Sequence, residues 1–195
     1  MTAISPLQSI HKKGLFGDHH KKNEIDLLKI TEVTNLTIVQ IVQYKNSKIN
    51  LESLSIDGLK FSLQSLKVSS NKDTRILWNA PNTWTVLSKK NDIVKTIKEN
   101  CDNENFAITD ISHSRAIIKI NGLEAIEVLK KGCPININEL RKNNCANTIF
   151  NGIALIVDCI DDETNTFNLF ALRSFGESFY HHITDAALEF GYVGA

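Results

Sequence analysis

One short string, DISHSR at residues 110–115, brings together side-chain types used in acid–base catalysis. Asp110, Ser112, His113 and Arg115 occupy four of its six positions. Adjacent side chains on a strand point to opposite faces, so these groups would not converge on one reacting atom. Two β-rich runs flank the string, and polar residues between such runs are typical of a hairpin turn. We therefore predict a hairpin turn with solvated polar side chains rather than a catalytic cluster.

A second string, KKGCP at residues 130–134, leaves three interpretations for Cys133: a reactive thiol, a metal ligand or a helix cap. A reactive thiol needs positive charge or a helix N-terminus, whereas the negative end of a helix is expected here. A zinc site with Cys145 lacks two further ligands at plausible spacing. If Gly132 follows the helix C-cap, Cys133 contacts Val128 in a Schellman motif, and a proline then stops the helix. We predict this packed cap.

Two further groups have a functional and a structural interpretation. Trp78 and Trp84 flank a turn that contains Pro81, and they could form a ligand platform. Large aromatic side chains on a hairpin are more often core or interface anchors, and we favour that interpretation. The last helix carries a polar face that could bind a metal or relay protons, although a solvated face is favoured. Its members are His181, His182, Asp185 and Glu189.

Composition excludes several classes of protein. Twenty-two basic and twenty-two acidic side chains give a formal net charge of zero, which argues against a nucleic-acid binder. The sequence contains none of the common glycine-rich phosphate-binding motifs, lipase-type nucleophile elbows or zinc-protease motifs. The four cysteines form no C-x-x-C pair, and no apolar run approaches the length of a membrane span. We expect a reduced, cytoplasmic protein with no membrane partner.

The order of elements predicts an α+β protein with antiparallel or mixed sheets and helices packed on one face. Residues 1–24 read as a solvated or partner-docked arm, with scattered apolar side chains such as Phe16. Because only burial offsets the entropy of ordering these side chains, we expect the arm to be mobile in the isolated chain and to dock on a partner or along this domain on assembly. Residues 25–195 read as a single domain in which a unit of two strands and a helix occurs about three times. The final helix, with a predicted Ser174–Glu177 capping box, is the clearest element.

Several elements are predicted from local patterns. Ile93, Val94 and Ile97 form the apolar stripe of one helix, and Leu123, Ile126 and Leu129 form the stripe of a second. The stripe of the final helix comprises Phe175, Phe179, Ile183, Ala187 and Phe190, and His181 and Asp185 on its polar face could pair. Residues 147–161 read as one strand, which the acidic turn DDETN joins to a strand over residues 166–173.

Five strings, in order along nearly the whole chain, resemble the gamma subunit family of heterotetrameric sarcosine oxidase. They are Ser5-Pro6-Leu7, ILWNAPNTWTVL, DISHSR, GLEAIEVLKKGCPININEL and RSFGESFYHHITDAALEFG. The sequence departs from the family pattern at Asn79-Ala80, Asn82 and Asn136, all in predicted turns or caps. The YTGE folate signature of the related glycine-cleavage T-protein is missing, which argues against folate chemistry on this chain.

The resemblance implies a fold like the folate-binding domain of T-protein, and a noncatalytic subunit that packs on a large alpha subunit beside beta and delta subunits. It implies a complex that oxidises sarcosine to glycine and passes the one-carbon unit to tetrahydrofolate. FAD, FMN, NAD and zinc would be held by the other chains. The alternative is a free-standing folate-binding aminomethyltransferase or repair factor of the T-protein type. Candidate interface or structural residues are Phe16, Trp78, Pro81, Trp84, Cys133 and Arg173.

Overall fold

The computed structural model describes residues 4–20 and 22–195, and these residues form two sheets of several strands, a two-stranded ribbon and three α-helices. The strands are β1 (Gly14–Phe16), β2 (Leu28–Glu32), β3 (Thr37–Gln43), β4 (Ser55–Ile56), β5 (Leu59–Lys60), β6 (Val68–Ser70), β7 (Thr74–Ala80), β8 (Thr83–Ser88), β9 (Phe106–Asp110), β10 (Arg115–Asn121), β11 (Cys145–Phe150), β12 (Ile153–Asp161), β13 (Thr166–Leu172) and β14 (Tyr192–Gly194). The helices are α1 (Ile93–Asn100), α2 (Ala125–Lys130) and α3 (Gly176–Ala187).

The chain divides into two compact units. The first contains the described residues up to Thr34 together with His113–Ala195, and the second is Asn35–Ser112. The boundary expected after residue 24 therefore lies inside the first unit. Residues 25–195, which were expected to form one domain, are divided between the two units. Residues 1–3 and Lys21 of the predicted arm lie outside the described residues.

The first unit is a mixed seven-stranded sheet in the order β1-β14-β2-β10-β13-β12-β11. All neighbouring strands are antiparallel except β14 and β2, which run parallel. Alternate residues of β10, namely Ala116, Ile118 and Ile120, face a buried cluster that also contains Val128 of α2 and Phe179 of α3. Successive side chains of a strand alternate between faces, so both helices cover the same face of the sheet. This arrangement confirms the α+β prediction.

The second unit is an antiparallel five-stranded sheet in the order β6-β7-β8-β3-β9, covered by α1. The apolar stripe predicted for this helix is confirmed, because Ile93 and Ile97 are buried and Val94 packs beside them. They meet Val39 and Ile41 of the central strand β3 in one core. The second unit thus has a hydrophobic core of its own, formed where the helix covers one face of the sheet.

The described residues of the N-terminal arm pack along the rest of the first unit, which is one of the two docking modes expected of the arm, and they do not form a solvated tail. Leu7 is fully buried, and Ile10 and Phe16 pack against the core of the first unit. Strand β1 pairs with β14, and the Phe16 ring stacks on Tyr192 with 5.1 Å between ring centroids. The arm joins the sheet despite its polar composition because strand pairing satisfies its backbone and a few apolar side chains reach the core.

The hairpin predicted around DISHSR is wrong. Strand β9 belongs to the five-stranded sheet and pairs with β3, whereas β10 belongs to the seven-stranded sheet. Ser112 accepts a hydrogen bond through its Oγ from the backbone N–H of Ile38 at 2.9 Å, so the turn is joined to β3. Strand partners are chosen by long-range packing, and the local strand–turn–strand pattern does not determine them.

Candidate functional site

The six candidate residues fall into two groups of three, one on each unit. The hairpin residues Trp78, Pro81 and Trp84 belong to the second unit, and Phe16, Cys133 and Arg173 belong to the first. No single site on either unit therefore contains all six.

The tryptophan hairpin is formed as predicted. Strands β7 and β8 are antiparallel, Trp78 lies directly opposite Trp84, and the loop between the strands contains the exposed Pro81. The Trp84 side chain is buried, and its Nε1 donates a hydrogen bond to the carbonyl of Ser62 at 2.8 Å. Its ring also meets Phe61 edge-on with 5.1 Å between centroids. Trp84 is therefore a core residue whose one polar atom is satisfied, as a buried indole requires.

The end of α2 differs from the predicted Schellman motif. The backbone N–H of Cys133 donates to the carbonyl of Leu129 at 2.9 Å, whereas the motif requires Val128 as acceptor. Gly132 does not have a positive φ. A Cβ at this position would instead lie 2.8 Å from atoms of the Phe150 ring. The glycine of the KKGCP string is thus required by the close approach of Phe150 and not by a left-handed backbone.

The thiol of Cys133 is a packed apolar group, which agrees with the predicted structural role. The residue is 7% exposed and belongs to the core cluster of the first unit. Burial raises the pKa of its thiol to about 12, so the nucleophilic thiolate is scarce near neutral pH. Cys145 is also buried, and no disulfide joins it to Cys133. Within residues 4–20 and 22–195, no cluster of three or more histidine, cysteine or acidic side chains could hold a metal ion.

Arg173 connects the N-terminal segment to the start of α3. It opens a 3-10 turn, Arg173–Phe175, directly after strand β13. Its guanidinium donates a hydrogen bond to the carbonyl of Ile4 at 2.7 Å, and its backbone N–H donates to the carbonyl of Ser114 at 2.8 Å. A Cβ on Gly176 would contact Ala116 at 3.1 Å and Pro6 at 3.5 Å, so the N-terminal segment packs closely here. The structure thus brings Ser5-Pro6-Leu7 and Arg173-Ser174-Phe175 together.

The predicted capping box of α3 is not formed. The helix begins at Gly176 with Phe175 as its N-cap residue, and no side chain caps its backbone. The preceding 3-10 turn runs directly into the helix, and the N–H of Gly176 donates to the carbonyl of Arg173. Ser174 therefore lies inside the turn, where it does not occupy the extended backbone position of a capping residue.

The polar face of α3 lies beside an open cleft of about 390 Å³ that is partly lined by His181, His182, Asp185 and Tyr192. The expected pairing of His181 with Asp185 is not observed. The Nε2 atom of His181 instead lies 4.0 Å from the carboxylate of Glu177 on the preceding turn.

The fourth residue of this predicted face, Glu189, forms an ion pair with Lys131 of 2.7 Å. The same Lys131 ammonium donates to the carbonyl of Ala186 at 2.6 Å and lies 4.6 Å from the centroid of the Phe190 ring. Glu189 therefore helps to fasten the end of α3 to the segment that follows α2.

The DISHSR string forms a turn at Asp110–Ser112 and ends with the guanidinium of Arg115. Asp110 accepts hydrogen bonds from the N–H and the hydroxyl of Ser112 at 2.9 and 2.6 Å, as a turn-forming aspartate does. Arg115 is half-buried, and burial lowers the pKa of its guanidinium. Within residues 4–20 and 22–195 this guanidinium forms no hydrogen bond and no ion pair.

A surface feature that sequence reasoning missed lies around Arg173. Phe175 and Ile4 are 48% and 69% exposed, although both are large apolar side chains. Leu172, the cross-strand partner of Arg115, is also exposed. In the sequence, the only hint of this surface feature was Arg173, a charged residue two positions before Phe175. The exposure of Phe175 itself follows only from the tertiary packing.

Comparisons with known proteins identify the fold. No protein-family model matches the chain, and no curated protein matches it. A chain in the structure of heterotetrameric sarcosine oxidase from Corynebacterium sp. U-96, in complex with pyrrole 2-carboxylate, matches with a TM-score of 0.83 and 18% identity. The match covers 97% of each chain. The resemblance predicted from sequence is confirmed at the level of the fold.

A second solved structure shares the fold over most of this chain. It is the glycine cleavage system aminomethyltransferase T from Bartonella henselae, with a TM-score of 0.61 and 10% identity. The match covers 86% of this chain and 48% of that chain, so this protein spans about half the length of the aminomethyltransferase. Finally, no helix within the described residues is long and apolar enough to cross a membrane.

Proposed function

We propose that this protein is the gamma-type, noncatalytic subunit of a heterotetrameric sarcosine oxidase, and that it packs against the large alpha subunit of that complex. One observation carries the proposal: the fold matches a chain of such an enzyme from end to end, with 97% of each chain covered. The match extends over nearly all residues of both chains, so it is not confined to one shared segment.

The match to the aminomethyltransferase supports a shared fold but a different role. That protein is about twice as long as this chain, because the match leaves about half of it uncovered. A free-standing transferase of this type would require this chain alone to supply the ligand site. The folate signature expected of that family is missing from the sequence, which favours the role of a subunit.

The contacts of three side chains support a structural role. Trp84 is a core residue, Cys133 is a buried thiol with a raised pKa, and Asp110 is bound to Ser112 of its own turn. The proposal accordingly assigns FAD, FMN, NAD and zinc to the other subunits, with tetrahydrofolate as a co-substrate bound there.

The proposal is tested by co-expressing the tagged chain with the products of its neighbouring genes. We expect it to purify with larger chains that carry flavin absorbance, and we expect the assembly to produce peroxide when sarcosine is added. The control is the tagged chain expressed alone, which should show no flavin absorbance. The two measurements separate assembly from activity, since a different N-methyl amino acid as substrate would abolish only the second.

The contrary result is a chain that purifies by itself from the co-expression and binds tetrahydrofolate in a direct titration. This result would favour the transferase role. A chain that purifies alone and binds no folate would refute both interpretations.

A further inference from the structure

The sequence contains two Asn-Gly dipeptides, and the structure places them in different environments. They are Asn121-Gly122 and Asn151-Gly152. An asparagine followed by glycine is chemically labile, because the glycine nitrogen can approach the carboxamide carbon of the preceding side chain without hindrance from a Cβ. The reaction converts the carboxamide to an acid and needs no enzyme. Which dipeptide reacts therefore depends on the freedom that the fold leaves to each of them.

Asn151 and Gly152 form the exposed tip of the β11–β12 hairpin. Their φ angles are +47° and +84°, as a two-residue hairpin loop requires. Within residues 4–20 and 22–195, the Asn151 carboxamide and the N–H of Gly152 form no hydrogen bond. A Cβ on Gly152 would meet no atom within 4 Å. The two groups that must react with each other are therefore unrestrained by side-chain contacts and surrounded by open space.

Asn121, by contrast, is held by its neighbours. It is the last residue of β10, and it pairs with strands on both sides. Its Nδ2 donates hydrogen bonds to the carbonyl of Thr164 at 3.0 Å and to the Thr166 hydroxyl at 2.5 Å. A Cβ on Gly122 would lie 3.2 Å from the Cα of Leu28, so the backbone here is closely packed. Deamidation removes Nδ2 as ammonia, and both of its hydrogen bonds must break first.

We propose that Asn151 is a site of spontaneous deamidation in the folded chain, and that the fold protects Asn121. The backbone nitrogen of Gly152 attacks Cγ of Asn151 and closes a five-membered succinimide ring. The Cγ–Nδ2 bond breaks, and ammonia leaves with the proton that the Gly152 nitrogen gives up. Water then opens the ring at Cγ to give aspartate, or at the backbone carbonyl carbon to give isoaspartate. This inference is independent of the proposed function.

The difference between the two sites is one of local opening. The hairpin loop must leave its left-handed conformation before the ring can close, and such exposed loop tips open at a small cost in free energy. Asn121 reacts only after β10 separates from its neighbours, because its backbone is part of the strand ladder on both sides. Opening of a central strand costs more free energy, so the reaction should be selective for Asn151.

The first experiment compares the two dipeptides inside the same molecule. The full chain is incubated at mildly alkaline pH in heavy-oxygen water, which labels only products formed during the incubation, and peptide mass spectrometry measures the acid at each position. We expect Asn151 to react about tenfold or more faster than Asn121, since about 1.4 kcal/mol of opening free energy is a factor of ten. In guanidinium chloride, where the fold is lost, the two sites should react at similar rates.

The second experiment identifies the isoaspartate chemically. A protein-isoaspartate methyltransferase transfers a labelled methyl group to the isoaspartyl carboxylate, so the incubated chain should accept label. Asn151→Gly removes the carboxamide, keeps a residue that tolerates positive φ, and should lose most of the label. Asn138→Gly is the matched control at an exposed asparagine that precedes Glu139, and it should keep the label. Thermal melting of both variants verifies that they fold.

Three results would overturn the proposal. The first is an equal rate at the two positions in the folded chain, or a faster rate at Asn121. The second is a reaction at Asn151 that occurs only in guanidinium chloride, which would show that the hairpin loop protects its own asparagine. The third is a folded Asn151→Gly variant that accepts as much methyl label as the wild type does.

Discussion

Replacing Gly132 by alanine should destabilise the first unit, and the reason is a contact with Phe150. The added Cβ would lie 2.8 Å from three atoms of the Phe150 ring. This ring is fully buried and meets Phe179 edge-on, so it has little room to move. Overpacking of this kind costs about 1–3 kcal/mol.

The sign of the effect is informative because the backbone alone predicts the opposite. Gly132 has no positive φ, and glycine-to-alanine changes at such positions normally stabilise a protein by about 0.4–1 kcal/mol. The clash with the ring outweighs this gain over nearly the whole of both ranges, so we expect a net loss of up to about 2.6 kcal/mol. At about 2–4 °C per kcal/mol for a chain of this size, the melting temperature should fall by up to roughly 10 °C.

A double-mutant cycle with Phe150→Leu identifies the cause. If the ring causes the loss, Gly132→Ala should be nearly neutral or stabilising in the Phe150→Leu background, which is a coupling of about 1 kcal/mol or more. Gly58→Ala is the control, because Gly58 has a φ of +75° and a Cβ there meets no atom within 4 Å. Its cost should be the same in both backgrounds.

Urea and thermal unfolding, followed by circular dichroism, measure the stability of each variant in the cycle. An equal cost for Gly132→Ala in both backgrounds would show that backbone conformation is responsible, as in the Schellman motif. A stabilising Gly132→Ala in the wild-type background would refute the close approach itself.

Three other positions, all buried or paired, give predictions about stability. Cys133→Ala should lose about 1 kcal/mol or more of stability, and native Cys133 should react with a thiol reagent only on unfolding, since its pKa is raised to about 12. Leu7→Ala should cost about 2–5 kcal/mol in urea unfolding because Leu7 is fully buried, and a cost near zero would refute the packing of the arm. The ammonium of Lys90 and the Thr74 hydroxyl lower the pKa of Asp57 to about 2, so Asp57 should contribute about 1–2 kcal/mol above pH 3.8. This contribution should vanish as the pH falls from 3.8 to about 2, and Asp57→Asn should show no such dependence in acid unfolding.

Elements with a strong local pattern were predictable from sequence. The stripe that contains Ile93 and Ile97 predicted α1, and the polar residues around Pro81 predicted the turn between β7 and β8. The acidic turn before β13 was predicted for the same reason. In each case a short window of sequence holds both the periodicity and the turn residues, so little information from the rest of the chain is needed.

One turn was missed although its signal was local. A single strand was predicted over residues 147–161, but Asn151 and Gly152 separate β11 from β12, and both have positive φ. Asn-Gly between apolar runs is a strong hairpin signal, and the continuous apolar character of this region obscured it.

The helix faces were predicted only in part. Leu123, Ile126 and Leu129 were expected to form the apolar stripe of α2, but Leu123 is exposed, and Ala125 and Val128 are buried with Leu129. Leu123 lies two residues before the helix begins, and Ile126 packs against the core although it is only partly buried. Helix boundaries are the least reliable part of a prediction from sequence, and the face depends on them.

The contact between Arg173 and the N-terminal segment joins residues that lie far apart in the sequence, and the sequence therefore did not indicate it. Ile4 and Arg173 are separated by 169 positions and meet only because the N-terminal segment packs on the start of α3. Phe175 was expected on the apolar stripe of the last helix, but it lies in the 3-10 turn before α3 and is about half exposed. Its apolar character alone fits either outcome, because burial depends on the tertiary packing. Sequence identified Arg173 as a candidate but could not supply its neighbours.

The position of β14 has a consequence for biosynthesis. This strand is the last along the chain, yet it lies between β1 and β2, which come from the first 32 residues. During translation β1 has no neighbour to pair with until β14 has been made, about 180 residues later, which takes roughly 10–35 s at common elongation rates. The second unit, Asn35–Ser112, is synthesised in one uninterrupted stretch within that interval. The second unit can therefore fold before β1 has a strand to pair with. A nascent chain halted before residue 192 would lack β14, and apolar side chains of β1 and β2 would remain exposed.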